Sequence, residues 1–509
     1  MENDVSRIED EAMPDMEEEA VFPPPAWGAW EWIFLFSALL TAGCYFFAHF
    51  PGIWERNGHL PGVGLTLTQW LLAGVSLAAA RKRHVLRGKS AAGGWFLLAV
   101  ALALGLCYSV FADDAMRLMN LPVVWAATAL SLFSLTGVNP LPALGGRGLR
   151  LGLRRFLPSF FARWTLPLKA LKNLPRPAKN EKLRGLGVGL LLSLPVVLLA
   201  ASLLASADPM FSSLLTSGFQ SLDRIDASLL PRLLYTLTGG LCLFSFLAAG
   251  TGNPFAPEEP KERRVSPVIL STVFAMLGLV YALFVYVQFR YLFFGSEEAI
   301  REIGYAEYAR SGFFQLVLLA VLTLALILPC LTFGKNSAAV RLLCAFVAAL
   351  TLVINYSAFF RMRLYIQAFG LSVLRVVTLW GMLMIFCALA ACLLKCAFPI
   401  ARICPALTVV ALCTWTALNY GNVDRLIARY QVSAYNQGTL TDLDASYLVS
   451  LSPDILPELE RIEDSTMRGR ALEKARVTFS QRSPRPYDWS LCWLKTNSPQ
   501  AETAHGTTE

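Results

Sequence analysis

The residues of this 509-residue chain with the means to do chemistry are few, and they gather in short groups beside long apolar runs. Asp208 lies in Ala207-Asp208-Pro209-Met210-Phe211, and a second group reads Tyr305-Ala306-Glu307-Tyr308-Ala309-Arg310-Ser311-Gly312-Phe313-Phe314. Arg361, Met362, Arg363, Tyr365, Gln367, Gly370 and Arg375 form a third. Tyr281, Phe284, Gln288 and Tyr291 share one helical face, with Arg290 nearby. Charge beside hydrocarbon is costly and tends to be paired or functional. Asp208, Glu307, Arg310, Arg361, Arg363 and Arg375 are therefore expected to form a polar cluster at the outer membrane face, with Gln288, Arg290 and Tyr308 as ligand-facing candidates. Glu307 and Arg310 stand three residues apart, side by side on a helical turn. Four arginines against one glutamate leave positive charge for Asp208 and an anionic phosphate or carboxylate to offset. The same arginines and tyrosines also suit plain interfacial anchoring, which needs no site.

Other chemistries find little support. No phosphate-binding Gly-rich loop occurs, since Gly334-Lys335 lacks the upstream glycine, and there is neither a His-Glu-x-x-His nor a nucleophile elbow. The four histidines, His49, His59, His84 and His505, stand isolated. Cys392 and Cys396 lie one helical turn apart, but no His, Asp or Glu accompanies them, so neither a metal nor a cofactor is expected. Ten of the eleven cysteines lie in or beside apolar runs, where thiols behave as small hydrophobes; Cys492 is the exception.

The elements that must hold these groups are membrane helices. The chain is 55% hydrophobic and 16% charged, with mean hydropathy +0.51, whereas soluble domains carry about 25% charged residues. Apolar runs near 27–48, 63–80, 93–111, 119–138, 186–205, 229–250, 267–290, 312–333, 339–358, 372–394 and 399–418 give about eleven transmembrane helices, the second and fourth being the least distinct. Alternate connections are rich in Lys/Arg: 81–89, 139–185, 261–264, Lys335 with Arg341, and Lys395 with Arg402. Basic loops stay cytoplasmic, which puts the N-terminus inside and the C-terminus outside. Residues 1–26 hold nine acids against Arg7, a net of −8 within an overall +8, so the rest carries +16. That start does not fit a cleaved signal peptide and reads as a solvated, disordered tail.

The 139–185 segment carries eleven basic residues against Glu181 alone, interleaved with leucines and aromatics. Tethered between spans, it is expected to lie on anionic lipid headgroups through Arg147, Arg150, Arg154, Arg155 and Arg163, in short pieces broken by Pro158 and Pro167. The lipid bilayer is the partner this implies, and nucleic acid is not expected. After residue 418 the chain turns polar, and Val423, Leu426, Ile427 and Tyr430 open a series of short amphipathic helices.

The expected fold is all-α: a polytopic transmembrane bundle with a small C-terminal helical extramembrane domain. Its parts are an acidic tail (1–26), four spans (27–138), the basic loop (139–185), a transmembrane core (186–418), an extracytoplasmic helical domain (419–494) and a disordered tail (495–509).

Ala207-Asp208-Pro209 to Phe211, Tyr305 to Phe314, Arg361-Met362 to Arg375, Asn422-Val423-Asp424 with Ile427-Ala428, and the Tyr487-Asp488-Trp489 segment resemble a bacterial polytopic family catalogued as domain of unknown function 4173, over roughly residues 186–495. The resemblance implies a bacterial cytoplasmic-membrane protein and brings no activity with it. Three functions remain open: a non-enzymatic envelope sensor, assembly or permease-like module; a transferase acting on a lipid-linked substrate, with Asp113-Asp114 binding a metal or serving as a base; and a secondary transporter. The chain leans away from an enzyme, because the substantial acidic outer loop of lipid-linked glycosyl transfer is replaced here by one offering only Glu55.

Overall fold

Apolar runs of about 20 residues satisfy their backbone polar groups internally only as helices, and every described segment of regular structure is helical. The structure is a computed structural model; it describes residues 29–49, 62–82, 91–167, 193, 197, 204, 229–250, 266–288, 313–333, 337–399, 402–440 and 442–481. The helices are α1 (Ala29–His49), α2 (Val63–Lys82), α3 (Ala91–Val110), α4 (Asp114–Leu135), α5 (Gly146–Trp164), α6 (Leu229–Gly250), α7 (Pro267–Gln288) and α8 (Phe313–Phe333). They continue with α9 (Ala338–Phe369), α10 (Val373–Ala397), α11 (Ile403–Tyr420), α12 (Val423–Asn436), α13 (Ala445–Ser450), α14 (Leu456–Leu459) and α15 (Ser465–Gln481).

Among the described residues eight helices are long and apolar enough to cross a membrane: α3, α4, α6, α7, α8, α9, α10 and α11, with shorter apolar stretches in α1 and α2. The protein is a multi-pass membrane protein. The expected 186–205 span apart from residues 193, 197 and 204, the tails 1–26 and 495–509, and residues 168–185 fall outside the described residues. The outward faces of α7 and α8 show what their solvent is. Val268, Ile269, Met276, Leu279 and Leu283 on α7, and Phe314, Leu318 and Leu322 on α8, are all exposed. So large an apolar surface suits hydrocarbon and not water.

Two compact units make up the chain. The first contains residues 1–43 and 155–255. Within it α1 and α6 approach closely at Gly240, where an added Cβ would lie 2.6 Å from the Leu39 side chain. The second unit contains residues 44–154 and 256–509, so the C-terminal helices α12–α15 belong to the same unit as α3, α4 and α7–α11. One continuous hydrophobic core runs through it, from Leu104 and Phe274 through Val347 and Ile385 to Ile427, Ile455 and Ala475.

Two local features differ from the sequence expectation. Residues 359–369 are not a connector but the last turns of α9, which starts at the Ser337 cap, whose hydroxyl accepts Val340 N–H at 3.3 Å. With 32 residues, α9 is about 48 Å long at 1.5 Å per residue, well beyond the ~30 Å hydrocarbon core. It stops at Gly370, whose φ of 74° is open to glycine at little cost. Pro158, in turn, does not break the basic segment: α5 runs through it to Trp164. The ring removes one donor, and Arg154, four residues before it, lies on an exposed stretch of the helix where water is at hand.

Candidate functional site: a carboxyl pair at one end of the bundle

Residues 111–113 form the tight connection between α3 and α4, and a helix start needs an acceptor for its free N–H groups. Asp113 supplies it, accepting Met116 N–H on Oδ1 at 2.9 Å. Arg117, one turn on, folds back along the connection: Nη2 donates to the carbonyls of Tyr108 (2.8 Å) and Phe111 (2.6 Å), and Nη1 sits 3.4 Å from Asp114. The Tyr108 hydroxyl returns a bond to the Arg117 carbonyl at 2.6 Å. The connection is thereby fixed by side chains from both helices.

The C-terminal helices close over the same end. Asn422, at φ 50°, caps α12 by accepting Arg425 N–H at 3.2 Å, and this turns the chain out of α11. Asp424 then enters the interior and accepts Ser452 N–H on Oδ2 at 2.8 Å. Asp454 accepts Ala112 N–H at 3.5 Å, which ties this region to the α3–α4 connection. Val373 N–H at the start of α10 donates to the Tyr447 hydroxyl at 3.3 Å, and Gln431 donates to the Leu371 carbonyl at 2.7 Å. Inside the cap, the buried Glu458 accepts Arg425 at 2.9 Å and Arg461 at 2.8 Å.

Asp113 and Asp424 are 5% and 2% exposed, and each keeps one oxygen, Oδ2 and Oδ1 respectively, buried without a hydrogen bond. Burial, with the nearby charge of Asp424 second, pushes the Asp113 carboxyl up to about 7. Burial likewise raises Asp424, with Asp454 and Asp114 adding to it against the Ser452 bond that lowers it. Burial also raises the Tyr447 hydroxyl, with Asp424 and Asp113 contributing, so it stays protonated. Water-poor surroundings and like charge disfavour two carboxylates together.

Among the described residues, the groups singled out from sequence are only partly brought together. Arg361 and Gln288 do meet: Arg361 Nη2 lies 3.5 Å from Gln288 Oε1, which also accepts Ser357 at 3.1 Å. Arg363, two residues along the same helix, is exposed on another side. Arg375 reaches back from α10 to the carbonyls of Phe369 (2.9 Å) and Gly370, its guanidinium 4.3 Å from the Tyr365 ring centre, and so caps α9. Asp208, Arg290, Glu307, Tyr308 and Arg310 lie outside the described residues. On α5, Arg147, Arg150 and Arg154 are exposed, while Arg155 and Arg163 are half-buried.

Sequence reading also passed over groups that the fold unites. Asn120 Nδ2 donates to Asn419 Oδ1 at 2.5 Å, Trp415 Nε1 donates to Asn120 Oδ1 at 2.8 Å, and Asn419 Nδ2 donates to the Trp415 carbonyl at 2.9 Å. Asparagines embedded in apolar runs were the available signal. Cys392 and Cys396 gain thiol neighbours that sequence spacing does not show, since Cys344 interacts with Cys330, Cys392 and Cys396. Among the described residues, however, no group of three or more His, Cys, Asp or Glu is arranged to hold a metal ion.

Comparison with known proteins agrees on an uncharacterised family but corrects which one. The match is to the family described as domain of unknown function (DUF4153), over residues 98–462, and not to the 4173 family that the motifs resemble. It begins in α3, so it takes in the α3–α4 connection that the resemblance left out, together with Asp424 and Asp454. No curated protein and no solved structure matches the chain. A match over more than two thirds of the 509 residues makes this chain a member of the DUF4153 family.

Proposed function

We propose that the protein is a non-enzymatic, multi-pass sensor or assembly module of a bacterial cytoplasmic membrane, in which α12–α15 form a responsive cap on the outer end of the spans. The observation that carries this reading is the seating of the cap on two connections of the bundle, through Ala112–Asp454, Val373–Tyr447 and Leu371–Gln431. Most polar side chains at this end bind backbone groups of the protein itself, as parts of a joint do. In the complete topology, eleven spans start from a cytoplasmic N-terminus, and the C-terminal domain 419–494 lies outside. The basic residues of α5 rest on anionic headgroups, and Leu157 and Phe161, both exposed on α5, suit the acyl boundary below them. The cluster expected around Glu307, Arg310 and Arg361 belongs to the same outer face.

A second reading has one observation in its favour. A carboxyl held near 7 is matched to general-base work, so Asp113 would suit a transferase acting on a lipid-linked substrate. Turnover separates the two. Full-length protein supplied with lipid-linked sugars and acceptors is expected to form no product. Product that disappears in Asp113→Asn would remove the non-enzymatic reading. Topology has its own test: reporter fusions after residues 89, 180 and 265 should read inside and one after 430 outside, and a cytoplasmic signal at 430 would refute the outer cap.

A further inference from the structure

We infer that Asp113 and Asp424 form a binding site for one shared proton, and that its occupancy holds the C-terminal helices on the end of the bundle. Each carboxyl uses one oxygen to anchor a backbone: Asp113 fixes the start of α4 through Met116, and Asp424 fixes the turn before the 3-10 helix Pro453–Ile455 through Ser452. The other oxygens, Asp113 Oδ2 and Asp424 Oδ1, are buried and make no hydrogen bond, and the Ser452 hydroxyl beside Asp424 is the neutral donor at hand. A buried acceptor without a donor costs about 1–3 kcal/mol, and more when charged. A proton on one carboxyl removes one of the two buried charges and gives that carboxyl a donor of its own.

The surrounding charges do not supply an alternative. From the α3–α4 connection come Asp114 and Arg117, and Arg117 is engaged with Asp114 and the carbonyls of Tyr108 and Phe111. From the cap come Asp454, itself an acceptor, and Tyr447, whose hydroxyl takes the Val373 N–H. From α10 comes Arg375, which is turned to the end of α9. A metal ion is the less suitable ligand, because among the described residues no three of Asp, Glu, His or Cys are arranged to hold one.

The direction of the response follows from the raised carboxyl. An acid whose folded value lies above its unfolded one binds its proton more tightly in the closed joint. The joint is therefore firmest at acid pH, weakens as pH climbs from the ordinary carboxylate range, and has lost this contribution once pH passes about 7. Above that, two buried negative charges drive α12 away from the α3–α4 connection.

The test is hydrogen exchange of the full-length protein in phosphatidylcholine nanodiscs, read at the Ser452 amide from about pH 5.5 to about pH 8.5 and corrected for the intrinsic rise of roughly tenfold per pH unit. Wild type should lose roughly tenfold or more of its protection as pH rises from about 5.5 toward about 7 and level off above it. Asp113→Asn should show flat protection, because Asn is as good a helix cap as Asp and leaves α4 intact; exchange along α4 checks that it does. Asp424→Asn should be flat as well. Flat protection in wild type, or a pH dependence that persists in Asp113→Asn, overturns the shared proton. Protection restored in wild type at high pH by millimolar calcium or magnesium overturns it in favour of a metal site. The inference rests on the non-enzymatic reading only for what the joint is for: turnover lost in Asp113→Asn would remove that reading and leave the proton, whereas flat exchange removes the proton and leaves the reading.

Discussion

Two polar joins link the α3–α4 hairpin to the C-terminal third of the chain, and they are built on opposite principles. Within the spans, Asn120 meets Trp415 and Asn419 across 295 and 299 residues of sequence. All three are neutral, and Asn120 and Asn419 have both their oxygens and nitrogens engaged. The Trp380 and Trp415 rings, 4.7 Å apart, close the network on one side. At the end of the bundle, Asp113 and Asp424 face a similar separation with two acids and two oxygens that lack partners. The first join is fully satisfied and has no group that titrates near neutrality. The second is complete only with a proton. A satisfied network fixes a single arrangement, and an unsatisfied one makes the arrangement conditional.

The comparison can be broken most sharply at Asn120. Asn120→Ala strands Trp415 Nε1 and Asn419 Oδ1 in a buried site and should cost about 2 kcal/mol, equally at pH 6 and pH 8, in reversible unfolding in mild detergent. A pH-dependent loss would mean the two joins are one coupled network. Next in size is the pair of substitutions at Asp113. Asp113→Ala removes the cap together with the titrating carboxyl, so it should cost about 1 kcal/mol at acid pH and progressively less as pH climbs to about 7. Asp113→Asn should leave the protein unchanged below about pH 4 and stabilise it increasingly as pH climbs to about 7, since each pH unit of suppressed titration in that interval is worth about 1.4 kcal/mol. The smallest effect is expected at Arg363, exposed on α9: Arg363→Ala should stay within about 0.5 kcal/mol. Arg361→Ala, which removes a buried side chain and one of the two donors to Gln288 Oε1 while the Ser357 bond stays, should exceed it and combine with it additively. Non-additivity would favour the single arginine cluster expected from sequence.

How much of this was legible beforehand follows from the range of each interaction. Helix positions were legible because apolar runs of span length have one way to satisfy their backbone, and the eight spans fall on the runs read from sequence. The extent of α9 was not, because Arg361, Arg363 and Gln367 look like a polar connector, and only the Arg375 guanidinium and Gly370 show where the helix ends. Asp113-Asp114 stood out as a candidate base or metal ligand, and Asp424 stood in a motif, but nothing local pairs them across 311 positions. That pairing depends on α12 turning back over the bundle at Asn422, a single residue at φ 50°. Ser452 and Asp454 read as punctuation between short helices, since their partners, Asp424 and the Ala112 amide, are remote in sequence.

The central claim is that one proton completes the end join, and infrared difference spectroscopy of the full-length protein reads that proton directly. Between about pH 6 and about pH 8 the wild type should lose a buried carboxylic-acid C=O band and gain a carboxylate band, with a midpoint near 7. Asp113→Asn and Asp424→Asn should each abolish that exchange, while Asn120→Ala should keep it. A wild type without the acid band at pH 6, or a band that survives in both aspartate variants, would contradict the account.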